Sequence, residues 1–531
     1  MIFGHSNNLN RIMSFTVKSN NPNLIYPCFL AIGLLSLYLT TMPDFATLED
    51  SGLFIAVAHE PGIAHPPGYP LYTILAHLLA WIPLGTVAQR VQTLSAFAGI
   101  AACLLLFKIC KKLGSDNFSV VIASTCLGVS SSFWFLAITD EVYTLNVMFF
   151  MLLIYLALNI HEKPNNNFPW IGLALISGLS FTNHWPLMLI SFPALILIII
   201  SHCKVMLRNG FKMAFFFLAG LSPYLYLPIR SWYEPYLTFF QPLPDWQRFW
   251  WNITREAYSN GDQSGTWNDS FLFVVNFFKT LPEEVGWPAL ILGILGLFLI
   301  IQKNEKRCSI SIVYAFLSSS VILKLFYRNE YNPHHWEIHQ TFNLVPIVML
   351  CLDVSRTVYS GKSKLRNDYG KWCEAIGGIF AVLWPLLNNY EEHNLKKDSF
   401  PEDVMDLILN PLPLGSSYFV HGSEEFGILA YANLVEGKRS DVKLYSQNGV
   451  LFGNRLFYAG SSKEKTQNHL SQFLESGDAI YAMELRPEFK ASLDPNWSLV
   501  ETGGFRMFKS VGVLKKVPNI NIDAVKMLLD R

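Results

Sequence analysis

Apolar runs long enough to cross a bilayer recur from Leu24 to about Leu387, separated by short polar stretches. A backbone in lipid has to satisfy its own hydrogen bonds, so runs of this kind fold as helices packed side by side. Only 15% of the residues are charged and 51% are hydrophobic, which suits a body immersed in lipid. Residues 389–531 are more polar and read as a soluble domain. Lys plus Arg and Asp plus Glu are each 40, and no basic patch is interleaved with aromatics, so nucleic acid is not an expected partner.

The Lys/Arg distribution orients the body, because short cytoplasmic loops collect positive charge. The run Pro70 to Leu84 is short for a span and has proline at its start and near its end. Read as an interfacial helix inside a long external loop, 43–90, it leaves Lys108, Lys111 and Lys112 on the cytoplasmic side. The expected spans are then 24–42, 91–107, 117–138, 143–160, 168–183, 185–202, 211–228, 286–302, 308–326, 340–354 and 372–388. That is a membrane protein of about 11 transmembrane helices, with a cytoplasmic segment 1–23, a body 24–388 and an extracytoplasmic α/β domain 389–531. The first apolar run lacks a small-residue cleavage pattern and is expected to remain as a span. All eight cysteines fall in spans or near their cytoplasmic ends, so ordinary packing is expected to hold the external part together.

In this topology the unusual polar residues gather on the outer side. The first loop carries Glu49-Asp50-Ser51-Gly52 and then His65-Pro66-Pro67-Gly68-Tyr69-Pro70. Acids at a lipid boundary stay charged only beside cationic or polar partners, although Asp50-Ser51 could equally cap the helix that follows. A second acid pair, Asp140-Glu141, precedes Tyr143, and Asn183-His184 marks an outer hairpin. Arg230 and Arg255 are external arginines near the membrane, able to clamp a lipid phosphate or simply to snorkel. The loop 327–339 holds three histidines, two acids and an arginine, spaced too loosely to specify a metal. In the tail, strands are expected at 417–420 and 479–483 and helices at 425–435 and 465–474. No phosphate loop or dinucleotide fingerprint is present, so a binding or supporting role is expected there.

Asp50-Ser51-Gly52, His65-Pro66-Pro67-Gly68-Tyr69-Pro70-Leu71, Glu141-Val142-Tyr143 and Asn183-His184 together resemble the membrane family known as domain of unknown function 2723. That family includes eukaryotic protein O-mannosyltransferases and is similar in layout to GT-C glycosyltransferases. The resemblance covers about residues 25–260, and Leu53 departs from it, since the family commonly has an acid there. It implies transfer of a sugar, a hexose such as mannose, from a polyprenyl-phosphate carrier to a protein or glycan acceptor. Asp50 would be the base, and either Glu49 stands in for the missing acid or that acid is not essential. His65, Tyr69, Glu141, Tyr143, Asn183 and His184 would bind substrate, and Arg230 or Arg255 the phosphate. A divalent metal ion is an allowed cofactor, not a required one. The alternatives are a transporter or flippase of lipid-linked sugars and a noncatalytic assembly factor. A bacterial inner membrane with a periplasmic site is expected, the endoplasmic reticulum being the alternative.

Overall fold

The computed structural model describes residues 24–510 apart from 241, 260–263, 303–305, 365–367, 460, 476–479, 484–496 and 503–504. The segment 1–23 lies outside the described residues. The described residues begin with α1 (Ile25–Thr41), followed by the shorter helices α2 (Ser51–His59) and α3 (Pro70–Ala80). At 11 residues α3 is about 16 Å long, half the apolar thickness of a bilayer. Then come α4 (Val87–Lys112), α5 (Asn117–Gly128), α6 (Ser131–Ile138), α7 (Tyr143–Glu162) and α8 (Asn167–Ile199). A capping box between Thr86 and Gln89 starts α4, and Lys111 and Lys112 end it where the helix dipole favours cations. Lys112 pairs with Glu162 at 2.6 Å, which sets the ends of α4 and α7 at one face.

Although α8 is continuous in hydrogen bonding, its chain reverses at His184, whose backbone is non-helical. Trp170 Nε1 donates to Pro164 O, and the His202 ring lies 5.3 Å from His161, so both ends of the stretch sit near the end of α7. His184 itself meets Tyr143 at the opposite end of α7. The stretch therefore rises and returns, as the hairpin reading expects.

The body continues through α9 (Cys203–Arg208), α10 (Gly210–Gly220), α11 (Tyr226–Trp232), β1 (Leu237–Thr238), α12 (Trp246–Ile253), α13 (Trp267–Val285) and α14 (Trp287–Gln302). It ends with α15 (Lys306–Leu317), α16 (Leu323–Phe326), α17 (Pro333–Thr341), α18 (Leu344–Lys364) and α19 (Asp368–His393). Among the described residues five helices are long and apolar enough to cross a membrane, and up to eight if bent pairs such as α5 with α6, bent by 67°, are single spans.

The tail holds α20 (Phe400–Leu409), β2 (Ser417–Val420), α21 (Gly422–Ala430), β3 (Lys443–Ser446), β4 (Leu451–Phe452), α22 (Lys463–Glu475), β5 (Ile480–Ala482), β6 (Trp497–Thr502) and β7 (Phe505–Ser510). Its sheet runs β3-β2-β5-β7-β6, parallel across the first three strands and antiparallel across the rest. Parallel neighbours need crossovers, which α21 and α22 provide. Phe54, Tyr69 and Tyr72 of the first loop share one apolar core with Tyr418, Tyr431 and Leu451 of the tail. β1 pairs with β4, so the segment between α11 and α12 adds a second tie between body and tail.

Candidate active site

Asp50 occupies the N-cap position of α2, yet its side chain makes no capping hydrogen bond. The carboxylate turns to His65 instead, with Oδ2 3.0 Å from Nε2. This answers the helix-cap alternative. Nδ1 of His65 lies 3.2 Å from Pro66 O, so both ring nitrogens face oxygen atoms. Aromatic rings of Phe54, Tyr69 and Phe239 surround His65 at 5.0 to 5.7 Å and fix its plane.

The turn after His65 is tight. Gly68 N donates to His65 O, and Gly68 has φ 93°, where an added Cβ would press on Leu227. Glu49, Tyr69 and Arg255 all have left-handed backbones, at φ 60°, 39° and 61°. Such conformations cost non-glycine residues of order 1 kcal/mol each and gather where the fold over-determines a site.

Asp50 is set deep among protein atoms, but 37% of its side chain is open to solvent, so it lines a recess. Burial alone would raise its pKa. The charge and contact of His65, then the charges of Arg255 and His334, outweigh burial and hold it below the ordinary carboxylate value. Glu141 goes the other way: burial and then the negative charge of Asp50 push it well above. Two neighbouring acids driven apart can act as base and proton donor.

His184 walls the recess, stacked on Tyr69 at 5.9 Å and tilted to Tyr143 at 5.6 Å. Asn183 is fully buried and its Nδ2 donates to Val142 O, so it fastens the α8 apex to the start of α7. Arg255 reaches the centre: Nη1 donates to Pro66 O at 3.3 Å, and the guanidinium lies 5.0 Å over the Tyr258 ring. Arg230 instead donates to Pro61 O at 2.8 Å and sits by Tyr233. Of the two expected arginines, only Arg255 is among the charges that act on Asp50.

Two residues absent from the expected ligands also arrive. His334 stands 3.8 Å from Glu49, and Glu337 follows one turn later on α17, whose start Asn332 caps. Ligand atoms of Glu49, His334 and Glu337 lie within 4.8 Å of one another, a mixed oxygen and nitrogen set that fits a divalent ion. Sequence shows three histidines here but not which one meets Glu49.

Comparison with known proteins adds to this geometry. The family described as Protein O-mannosyl-transferase TMEM260 N-terminal domain matches residues 50–208, a stretch that runs from Asp50 through Glu141 and His184. Protein O-mannosyl-transferase TMEM260 of Mus musculus is 25% identical over 436 residues, covering 78% of this chain and 62% of its own length. Its Dictyostelium discoideum counterpart is 24% identical over 478 residues, covering 78% and 56%. The chain thus spans less than two thirds of these relatives. The crystal structure of ArnT from Cupriavidus metallidurans bound to undecaprenyl phosphate superposes with a TM-score of 0.56 at 9% identity, covering 93% of this chain and 99% of ArnT. Its apo form gives 0.52 at 10% identity over 91% and 98%. The chain therefore has the membrane fold of ArnT, and its residues 50–208 are similar to the N-terminal domain of the TMEM260 O-mannosyl-transferases.

Proposed function

We propose that the chain is a GT-C-type membrane glycosyltransferase that moves a hexose such as mannose from a polyprenyl-phosphate carrier to a protein or glycan hydroxyl outside the cytoplasm. The observation that carries this reading is Asp50, a carboxylate kept charged and reachable in a recess that also holds Arg255 and His65. Similarity to O-mannosyl-transferases across this loop supports it, as does the undecaprenyl phosphate that the ArnT structure binds.

Asp50 takes the proton of the acceptor hydroxyl as its oxygen bonds to the anomeric carbon. The bond from that carbon to the phosphate oxygen breaks, and the electron pair leaves with the lipid phosphate. Arg255 faces the growing phosphate charge. His65 holds the Asp50 carboxylate in place, and the neutral Glu141 donates to a sugar hydroxyl. Glu49, His334 and Glu337 would hold a divalent ion, which supplies further positive charge near the leaving phosphate. Eleven spans, a site facing the periplasm across a bacterial inner membrane and a tail on the same side complete the reading, with the endoplasmic reticulum lumen as the alternative setting.

Membranes containing the chain are tested for transfer of labelled hexose from a panel of polyprenyl-phosphate sugars. Transfer from at least one donor is expected; none from any donor in the panel, with the protein present and folded, overturns the proposal. Within this assay Arg255→Gln is expected to lower transfer about a hundredfold. Arg230→Gln is expected to lower it less than about tenfold, since its guanidinium braces a loop. The reverse order would move the phosphate contact to Arg230.

A further inference from the structure

Helix α12 presents a row of large aromatic side chains that the described residues leave uncovered. Trp246 is 65% exposed and Trp250 46%, although the two sit one turn apart as neighbours on the helix. Their rings meet at 5.1 Å, and Phe249 stacks on Trp246 at 5.4 Å, so the three form one continuous surface. The other side of the helix is packed: Asn252 is buried, and Ile253 shares an apolar cluster with Ile63 and Leu227. An uncovered aromatic face of this kind marks contact with another body.

What covers it follows from the stretch on which α12 leans. Gly210–Trp232 is long and apolar enough to cross a membrane, and with 11% of its apolar window buried in the protein it faces lipid along most of its length. Leu225, Ile229 and Trp232, each more than half exposed, continue that lipid-facing stripe at helical spacing to its last residue. α12 runs back beside these turns: Leu243 N, just ahead of it, donates to Ser231 Oγ, and Phe249 meets the Tyr224 ring at 6.4 Å. Tyr224 in turn donates to Phe181 O, one turn short of the His184 apex. A stretch of 23 residues is about 35 Å long against an apolar core of roughly 30 Å, so its last turns stand where hydrocarbon meets headgroups. Tryptophan gathers at that boundary.

We propose that α12 is an interfacial helix whose Trp246 and Trp250 face is seated in the lipid leaflet on the side of the recess, and that this seat positions Arg255. The residue after the Thr254 C-cap is Arg255, whose N–H donates to Asn252 O, and Trp185 Nε1 donates to Ile253 O, tying the end of α12 to the α8 apex. Wherever the bilayer holds α12, the path of Arg255 toward Pro66 O is set with it. The role of Arg255 rests on the glycosyltransferase reading; the lipid contact stands apart from it.

The contact is tested without turnover by placing the photoreactive p-benzoyl-phenylalanine at position 250 of the full chain in vesicles of phosphatidylethanolamine and phosphatidylglycerol. Irradiation is expected to give a lipid adduct there by mass spectrometry, as at Leu218 of the lipid-facing stretch, and none at Leu414, an exposed tail residue. Lipid adducts at 218 but not at 250 would overturn the proposal, and so would a protein adduct at 250 in native membranes, which would make the face a protein docking surface. For positioning, Trp246→Ser with Trp250→Ser is expected to lower transfer about tenfold, and Trp246→Leu with Trp250→Leu, which keeps an apolar seat, to stay within about threefold of wild type. Equal loss in both pairs at the wild-type melting temperature would mean that the rings themselves meet substrate, and no loss in either would remove the link to Arg255.

Discussion

Asp50→Asn is expected to reduce sugar transfer about a thousandfold, with the protein level unchanged and the melting temperature lowered by no more than about a few degrees. The substitution keeps the size of the side chain and its place at the start of α2, where no capping bond is at stake. What it removes is the ability to take a proton from the acceptor and the charge that pairs with His65 at 3.0 Å. Because the wild-type pKa is held below the ordinary carboxylate value of about 3.9, the base is already ionised at neutral pH, and the acid limb of the rate should fall below that value. The sign for stability is the same: a depressed folded pKa contributes stability above the unfolded pKa, and that contribution is lost as pH falls through the folded one. His65→Gln removes the largest factor opposing burial, so its acid limb should move to higher pH. Transfer by Asp50→Asn at the wild-type rate would remove Asp50 as the base.

Much of the site could be read from the chain because short-range chemistry is written locally. Acids next to a membrane boundary, the rigid His65-to-Pro70 turn, and a hairpin apex at Asn183-His184 are each visible within a few residues. Their meeting is also legible in part, since all of them are placed on one side by the lysines that stay on the other. The pairing of side chains is different in kind. Arg230 and Arg255 look equivalent as external arginines, and only the fold shows one bracing Pro61 O and the other reaching Pro66 O. The left-handed backbone of Arg255 has no sequence mark, as it has for glycine or asparagine.

His334 and Glu337 illustrate a second limit. They share a face of α17 by helical spacing, but their approach to Glu49 spans almost three hundred residues and depends on how helices pack. Asp140 shows a third. Adjacent acids in sequence suggest two equivalent carboxylates, whereas complete burial pushes the Asp140 pKa well above the carboxylate value against the opposing hydrogen bonds of Ser51 and Gln92. The expectation of a binding or supporting tail leaves its docking unspecified, because glycine at a helix crossing looks like any other glycine until its neighbour is known.

Gly427→Ala is expected to disable the site from the tail. Helices α2 and α21 cross where Gly52 faces Gly427: a Cβ on Gly52 would overlap the Gly427 carbonyl, and a Cβ on Gly427 would lie 2.5 Å from the Glu49 carbonyl oxygen. Both obstacles are backbone, so no rotamer change relieves them, and the overpacking costs about 3 kcal/mol or is met by displacing one helix. The part that gives way is the turn before Asp50, which is held at φ 60° in Glu49 and tied down by one hydroxyl chain through Ser51. The tail itself is seated on an apolar core shared with the first loop, including the Phe45 and Tyr431 rings at 4.7 Å, and resists moving away. Transfer should therefore fall about a hundredfold, although residue 427 is placed in no catalytic or binding role. Faster proteolytic release of the tail should accompany it if the interface opens instead. Gly33→Ala, where an added Cβ has nothing within 4 Å, is the matched control and should behave as wild type. Gly427→Ala with wild-type melting, proteolysis and transfer would mean that the tail does not rest on the catalytic turn in the working protein.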